Sequence, residues 1–335
     1  MPAWILLFVV MAAIGTWLAR RYALQTSLLD HPGERRSHSI PTPRGGGIAI
    51  VLTVLVAVIA LAVREPTQRL LLGAFGLGFA AVGLVGWIDD HRPLSARVRL
   101  AVHAAAALIF ALTFGALSGH GAWAVAGFML IIGLTNVWNF MDGIDGIATT
   151  QAVLVAAALS LVAPGAWAGL SAALMAACLG FMPFNWPHAR IFMGDVGSGP
   201  LGFAIGALVL VASAPLLEDR PTVAVLWLLP LSAFLVDAGL TLARRMLRRE
   251  RWWTAHAQHA YQVWAREIGH PRVTMAYACW TVASVLLALT MWPARPLLML
   301  ASVMTWYTAT ACIWVLLQRH TASGPRDATS TKESG

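Results

Sequence analysis

The sequence predicts an all-α, polytopic integral membrane protein, and three observations carry that expectation. Of its 335 residues 59% are hydrophobic and only 11% charged, against about a quarter charged in ordinary soluble domains. Mean hydropathy is +0.71. The apolar residues fall in runs of about 20, the length needed to cross a bilayer as a helix.

Glycine, proline and charge separate those runs in chain order. His31-Pro32-Gly33 follows the first, Glu65-Pro66 divides the second from the third, and Asp89 to Pro93 ends the third. Ser118-Gly119 and Pro164-Gly165 close the fourth and sixth, while Asp142 to Gly146 and the Asn185 to Gly199 stretch follow the fifth and seventh. Glu218 to Pro221, the arginines from Arg244 onward and Pro293 mark the last three boundaries. About eleven transmembrane helices result, roughly at residues 3–19, 47–63, 70–88, 99–117, 122–140, 147–163, 166–184, 200–216, 223–243, 273–292 and 296–316. The first run lacks a basic segment before it and a second span follows closely, so it reads as an uncleaved helix. Residues 1–317 form a single transmembrane domain, and residues 318–335 a polar tail whose Ser, Thr, Gly and charges predict mobility.

Charge sets the orientation. Of 23 Lys and Arg residues only Arg64, Arg69, Arg220 and Arg295 fall in the loops after the second, eighth and tenth spans. The positive-inside rule then places the N-terminus outside and the C-terminus in the cytoplasm. The net charge of +8 is mostly this bias, with attraction to anionic bilayer lipids, and nucleic acid is not an expected partner. The three cysteines lie in apolar runs without CxxC spacing, which argues against a disulfide framework or a zinc site.

Five unusual segments share the cytoplasmic face. The first runs from Asp30 through Arg44 into Gly45-Gly46-Gly47, a glycine run that lets backbone approach a ligand and offers N–H groups to phosphate. The second is Asp89-Asp90 with His91, Arg92, Arg97 and Arg99; paired carboxylates at a membrane boundary bind a cation, accept a proton or pair with arginine. In the third, Asn136, Asn139 and Asp142 recur every three residues on one side of a helix end, followed by Gly143 and Asp145-Gly146. The fourth, Phe184 to Gly199, sets Asp195 between glycines just before the eighth span, a geometry suited to a hard cation and a phosphate sharing one site. The fifth holds Arg244, Arg245, Arg248, Arg249 and Arg251, then Trp252-Trp253, then His256-Ala257-Gln258-His259; by itself it also reads as a lipid-headgroup anchor. Asp237, inside the ninth span, is either functional or paired with a nearby arginine. His103 reads as a core residue.

Carboxylates, glycine turns and arginines, with no Ser-His-Asp pattern, suit metal-assisted phosphoryl chemistry at lipid-phosphate depth. The ordered set of Asp89-Asp90, NxxNxxDGIDG at Asn136–146, FNxPxAxIFMGDxGS at Phe184–198 and the His256 to His259 cluster resembles the polyprenyl-phosphate N-acetylhexosamine-1-phosphate transferases, roughly over residues 30–260. The subgroup that primes O-antigen synthesis is the nearest in character. The resemblance implies transfer of a sugar 1-phosphate from a UDP-N-acetylhexosamine to undecaprenyl phosphate, with Mg2+, or Mn2+ in its place, and release of UMP. By position it makes Asp195 and Asp90 metal ligands and Asp89, Asp90, Asp142 and Asp145 catalytic, with Asp89 as the base that deprotonates the acceptor. Asn136 and Asn139 then line the diphosphate region, Asn185 and Phe192 meet the nucleotide, and Arg44, His256 and His259 contact substrate. A homodimer is one assembly compatible with this reading.

Two positions depart from the family pattern: Gln258 replaces the middle histidine of HxHH, and Pro93 stands where DDxxD has its third acid. The 6-deoxy forms of the sugar therefore stay among the expected donors. A lipid-linked sugar flippase is the alternative function, although apart from Asp237 few charges lie within spans. A CDP-alcohol phosphotransferase is disfavoured because Asp145-Gly146 is followed by Ile147 and Ala148, without the DGxxAR arginine.

Overall fold

The structure, a computed structural model, describes residues 3–31, 33, 40–119, 121–216, 220–251, 254 and 256–322. It is a bundle of α1 (Ala3–Gln25), α2 (Ile48–Arg64), α3 (Arg69–His91), α4 (Ala96–Ser118), α5 (Gly121–Met141), α6 (Ile147–Val162) and α7 (Ala166–Asn185), followed by α8 (Asp195–Ser213). Then come α9 (Pro221–Ala224), α10 (Ser232–Leu247), α11 (Ala260–Ile268), α12 (His270–Met291) and α13 (Pro296–Ala322). A tight 3-10 stretch, Val225–Leu231, joins α9 to α10, with Pro230 removing one backbone donor within it. The two-residue strands β1 (Leu29–Asp30) and β2 (Thr42–Pro43) pair antiparallel, with Asp30 opposite Thr42.

Among the described residues nine helical segments are long and apolar enough to cross a membrane, and α2 and α6 are apolar but shorter. Every apolar run of the sequence thus has its helix, and the chain is an all-α polytopic membrane protein.

The centre of the bundle is α8, whose most apolar window is 83% buried. It packs chiefly on α3 and α5, and its Phe203 joins Phe75, Phe110 and Trp167 in an edge-to-face aromatic cluster. Small residues let α8 enter so closely: a β-carbon on Gly86 of α3 would strike the backbone of Asp195 and Val196, and one on Gly47 would strike Gly197. The same absence of side chain holds the first turn of α8 against the C-terminal end of α3.

Three sequence expectations need correction here. The GDxGS segment is not a loop before the helix, because α8 begins at Asp195 with Gly194 preceding it at φ 75°. The region after α10 is not all loop, since Ala260–Ile268 forms a short amphipathic helix too brief to register as a span. Helix α13 continues past residue 317 to Ala322, and residues 323–335 lie outside the described residues.

Candidate active site

A cavity of about 1120 Å³ opens where the ends of α3, α4, α5 and α8 meet the loop between α10 and α11. Arg44, Asp89, Asp90, Asn136, Asn139, Asp142, Asn185, Phe192, Asp195, His256 and His259 all line it. Residues up to 215 positions apart in the chain, from Arg44 to His259, thus converge on one cavity; of the site residues that the family resemblance implies, Asp145 alone does not line it.

The carboxyl groups hold different posts. Asp90 is 3% exposed, and its two oxygens accept the backbone N–H groups of Asp195 and Val196 at 3.2 and 3.1 Å. It therefore caps the N-terminus of α8, satisfying donors that the helix cannot satisfy itself. Arg44 donates to the Asp90 carbonyl, tying the β2 strand to the same corner. Asp89 accepts from the Leu94 backbone N–H at 2.6 Å through Oδ1, and its Oδ2 lies 2.9 Å from Arg99 Nη1. That same nitrogen is 2.5 Å from Asp195 Oδ2, so one guanidinium corner joins two acids from α3 and α8.

Asp142 stands just past the end of α5. Burial, with the charges of Asp195 and Asp90, pushes its carboxyl up to about 8. The shift holds the carboxyl toward its protonated form, and positive charge entering the cavity would draw it back toward the carboxylate.

The asparagines divide similarly. Asn139 donates to Ser198 Oγ at 3.1 Å, locking α5 to α8, and Asn136 donates to its own helix at the Ile132 carbonyl. The amide of Asn185 braces three segments: it accepts from Gly146 N and Thr149 Oγ1 and donates to the Ile191 carbonyl. Its position in the motif thus serves the shape of the wall. Asp145 does comparable work, with Ala189 N donating to Oδ2 at 3.2 Å and His270 Nδ1 3.3 Å from Oδ1, which ties the α5–α6 turn to α12.

The glycine run after Arg44 differs from its sequence reading. Gly46 and Gly47 give their N–H groups to the carbonyls of Phe192 and Met193 at 3.0 and 2.8 Å. Those donors build the wall that carries half-buried Phe192, and they are not left for phosphate.

Over the cavity lies the His256 to His259 loop. Gln258 turns its amide to Glu250 Oε2 at 3.1 Å and does not line the cavity, so the departure from HxHH falls outside the chemical centre. His259 is anchored from below by Asp237, whose Oδ1 is 3.6 Å from its Nδ1. Asp237 meets backbone and neutral side-chain donors: it accepts from the Ala260 and Tyr261 backbone N–H groups, Tyr277 OH, Thr241 Oγ1 and Trp314 Nε1. Trp252 and Trp253, read as a lipid anchor, lie outside the described residues.

His256 illustrates what the loop offers a ligand. Burial, with the charges of His259 and Arg245, pushes its ring down to about 4. Gln258 N donates to Nδ1 at 3.3 Å, leaving the proton on Nε2 of a neutral ring. Because the folded value lies below the ordinary 6.5, the stability this ring contributes is complete above pH 6.5 and is lost as pH falls toward 4, the unfolded chain taking the proton first. Thermal melts should therefore drop further between pH 7.5 and pH 5 in the wild type than in His256→Gln. Equal drops would show that His256 is protonated in the folded protein.

Sequence reasoning missed several wall residues. Arg97, Arg99, His103, Ser198, Thr254 and Tyr261 all line the cavity. His103, read as core, is 7% exposed and faces the cavity one helical turn beyond Arg99. The i, i+4 spacing of Arg99 and His103 on a helix that starts beside Asp89-Asp90 was the available signal.

The fold and this acid-lined cavity define a polytopic membrane protein with a polar site at the ends of its apolar helices, and comparison with known proteins places it in a family. Residues 71–213 match the family model for glycosyl transferase family 4. The chain is 32% identical over 281 residues to the decaprenyl-phosphate N-acetylglucosaminephosphotransferase of Mycolicibacterium smegmatis, covering 72% of this chain and 69% of that protein. It is 28% identical over 302 residues to the phospho-N-acetylmuramoyl-pentapeptide-transferase of Heliobacterium modesticaldum, covering 81% and 90%. The undecaprenyl-phosphate alpha-N-acetylglucosaminyl 1-phosphate transferase of Thermotoga maritima is 29% identical over 252 residues, covering 74% and 76%. The chain belongs to glycosyl transferase family 4, and its homologues are phospho-sugar transferases acting on polyprenyl phosphates.

Proposed function

We propose that this protein transfers an N-acetylhexosamine 1-phosphate, including 6-deoxy forms, from a UDP-sugar to undecaprenyl phosphate in the bacterial inner membrane, releasing UMP and priming O-antigen or a related envelope polysaccharide. The observation that carries the reading is the meeting of Asp89, Asp142 and Asp195, from three helices, in one large cavity at the bundle end. The arginine distribution supports a cytoplasmic cavity, an outside N-terminus and a cytoplasmic C-terminus.

The acids fit a hard divalent cation. Asp89 Oδ2 and Asp195 Oδ2 converge on a single nitrogen at 2.9 and 2.5 Å, and oxygen is the donor Mg2+ takes. Mg2+ is commonly held by one or two carboxylates plus substrate phosphates and not by an all-protein cage. Asp89 and Asp195 would hold the ion; Asp90, engaged with α8, would position Asp195. When bound, Mg2+ (or Mn2+) supplies charge neutralisation for phosphoryl transfer.

Asp142 makes no hydrogen bond to protein among the described residues, whereas both oxygens of Asp89 are engaged. Its elevated carboxyl suits proton transfer near neutral pH. We therefore assign the cation to Asp89; with positive charge in the cavity drawing Asp142 back to the carboxylate, Asp142 would take the acceptor's proton. His256 Nε2–H and Asn136 present neutral hydrogen-bond donors to the sugar and diphosphate, and Phe192 offers a ring face to the uracil. The lipid phosphate oxygen attacks the donor's β-phosphorus directly, and the bond to the UMP oxygen breaks.

Purified protein should release UMP from one of a panel of UDP-N-acetylhexosamines, the 6-deoxy forms included, only when undecaprenyl phosphate and Mg2+ are both present. The best donor then identifies the sugar. Folded protein that moves lipid-linked sugar between leaflets without releasing UMP would replace this reading with the flippase.

A further inference from the structure

Arg99 sits in the first turn of α4 with its side chain 31% exposed to the cavity. An arginine meeting a carboxylate ordinarily lays two parallel N–H bonds on it. Here a single nitrogen, Nη1, bridges Asp89 and Asp195, and Nη2 and Nε make no hydrogen bond among the described residues. Both acceptor oxygens are held in place from behind: Leu94 N fixes the Asp89 carboxyl through Oδ1, and Asp90 fixes the Asp195 backbone. Two prepositioned oxygens of one sign thus share one cationic partner among the described residues, on a long side chain whose remaining donors suit phosphate oxygens.

The geometry points to Arg99 as a substrate-phosphate ligand that is held on Asp89 and Asp195 until a divalent cation takes up those two oxygens, and is thereby released to the substrate. The proposal deepens the transferase reading and rests on it for the identity of the phosphates. Arg99 and the cation are rivals for the same atoms, so cation binding and phosphate binding are coupled through one side chain. The exchange keeps local charge in step: the acids are never left without a positive partner, and the guanidinium reaches phosphate only in a site ready for chemistry.

The test uses the full chain in lipid nanodiscs and Mn2+ alone, with free Mn2+ followed by electron paramagnetic resonance. Arg99→Gln removes the rival and should bind Mn2+ about tenfold more tightly than wild type, the worth of a charge-assisted hydrogen bond. Arg97→Gln removes the same charge from the same cavity without touching either acid's bond to Arg99, and should tighten Mn2+ by about twofold at most, as a screened exposed charge does. With Mn2+ saturating, calorimetry should show UDP bound about tenfold more weakly by Arg99→Gln. Arg99→Lys, the milder variant, should fall between wild type and Arg99→Gln in both measurements. Unchanged or weaker Mn2+ binding in Arg99→Gln and Arg99→Lys, or equal gains in Arg99→Gln and Arg97→Gln, would overturn the exchange. If wild type binds Mn2+ no better than Asp195→Asn does, the metal reading itself fails and the proposal falls with it.

Discussion

Asp195→Asn should abolish nearly all transfer, lowering UMP release about a thousandfold, while the protein melts at the wild-type temperature. The two halves of that expectation have separate causes. The Asp195 side chain is 29% exposed, and its one ion pair among the described residues is with Arg99, so its loss removes a charge from the cavity and little packing. Its backbone N–H, by contrast, is the first donor of α8 and stays on Asp90 Oδ1 in the variant. Asp90→Ala provides the contrast: it leaves two buried helix donors without partners, a cost of about 1–3 kcal/mol each, and should lower stability and activity together. The measurement is UMP release beside a thermal melt in the same detergent. A variant Asp195→Asn that keeps a tenth or more of wild-type turnover would take Asp195 out of the chemistry.

That contrast also marks where sequence reading reached its limit. The helices were legible because membrane-length apolar runs separated by Gly, Pro and charge leave few alternatives. Asn136, Asn139 and Asp142 could be grouped because a helix repeats every three to four residues, and all three face the cavity. Asp89 and Asp90, however, are adjacent and chemically identical, and what separates them is the α8 N-terminus more than a hundred residues away, since the Asp90 to Asp195 bond spans 105 positions. Local pattern carries no information on that distance. Asn185 and Asp145 show the complementary limit: polar residues in a chemical motif are also residues that brace loops around the cavity, and the sequence does not reveal those partners. Arg99 could be read only as a neighbour for the Asp89-Asp90 pair, because its second partner, Asp195, lies 96 positions on.

Asp237 carries the same lesson to the far side of the cavity, and its replacement should be the most disruptive in the protein. The residue is 2% exposed and its carboxylate gathers donors from four helices: Thr241 of α10, the first two N–H groups of α11, Tyr277 of α12 and Trp314 of α13. Asp237→Ala strands these donors in an apolar surround, a loss of about 3–5 kcal/mol. Asp237→Asn keeps the volume but turns an NH2 group toward at least one of the donors, so it should recover only part of the loss. The consequence for function runs through position. Helix α11 begins at the residue after His259, and once its N-terminus is no longer held, His259 and His256 lose their place over the cavity. A displacement of about 1 Å is enough to reduce kcat/KM about a hundredfold. Backbone amides of α11 should exchange with deuterium markedly faster in Asp237→Asn, while those of α3, α5 and α8 keep wild-type protection and Mn2+ still binds at Asp89 and Asp195. Uniformly faster exchange across the bundle would instead make Asp237 a general core residue with no special hold on the histidine loop. Wild-type exchange in α11 would mean that the loop is positioned from elsewhere.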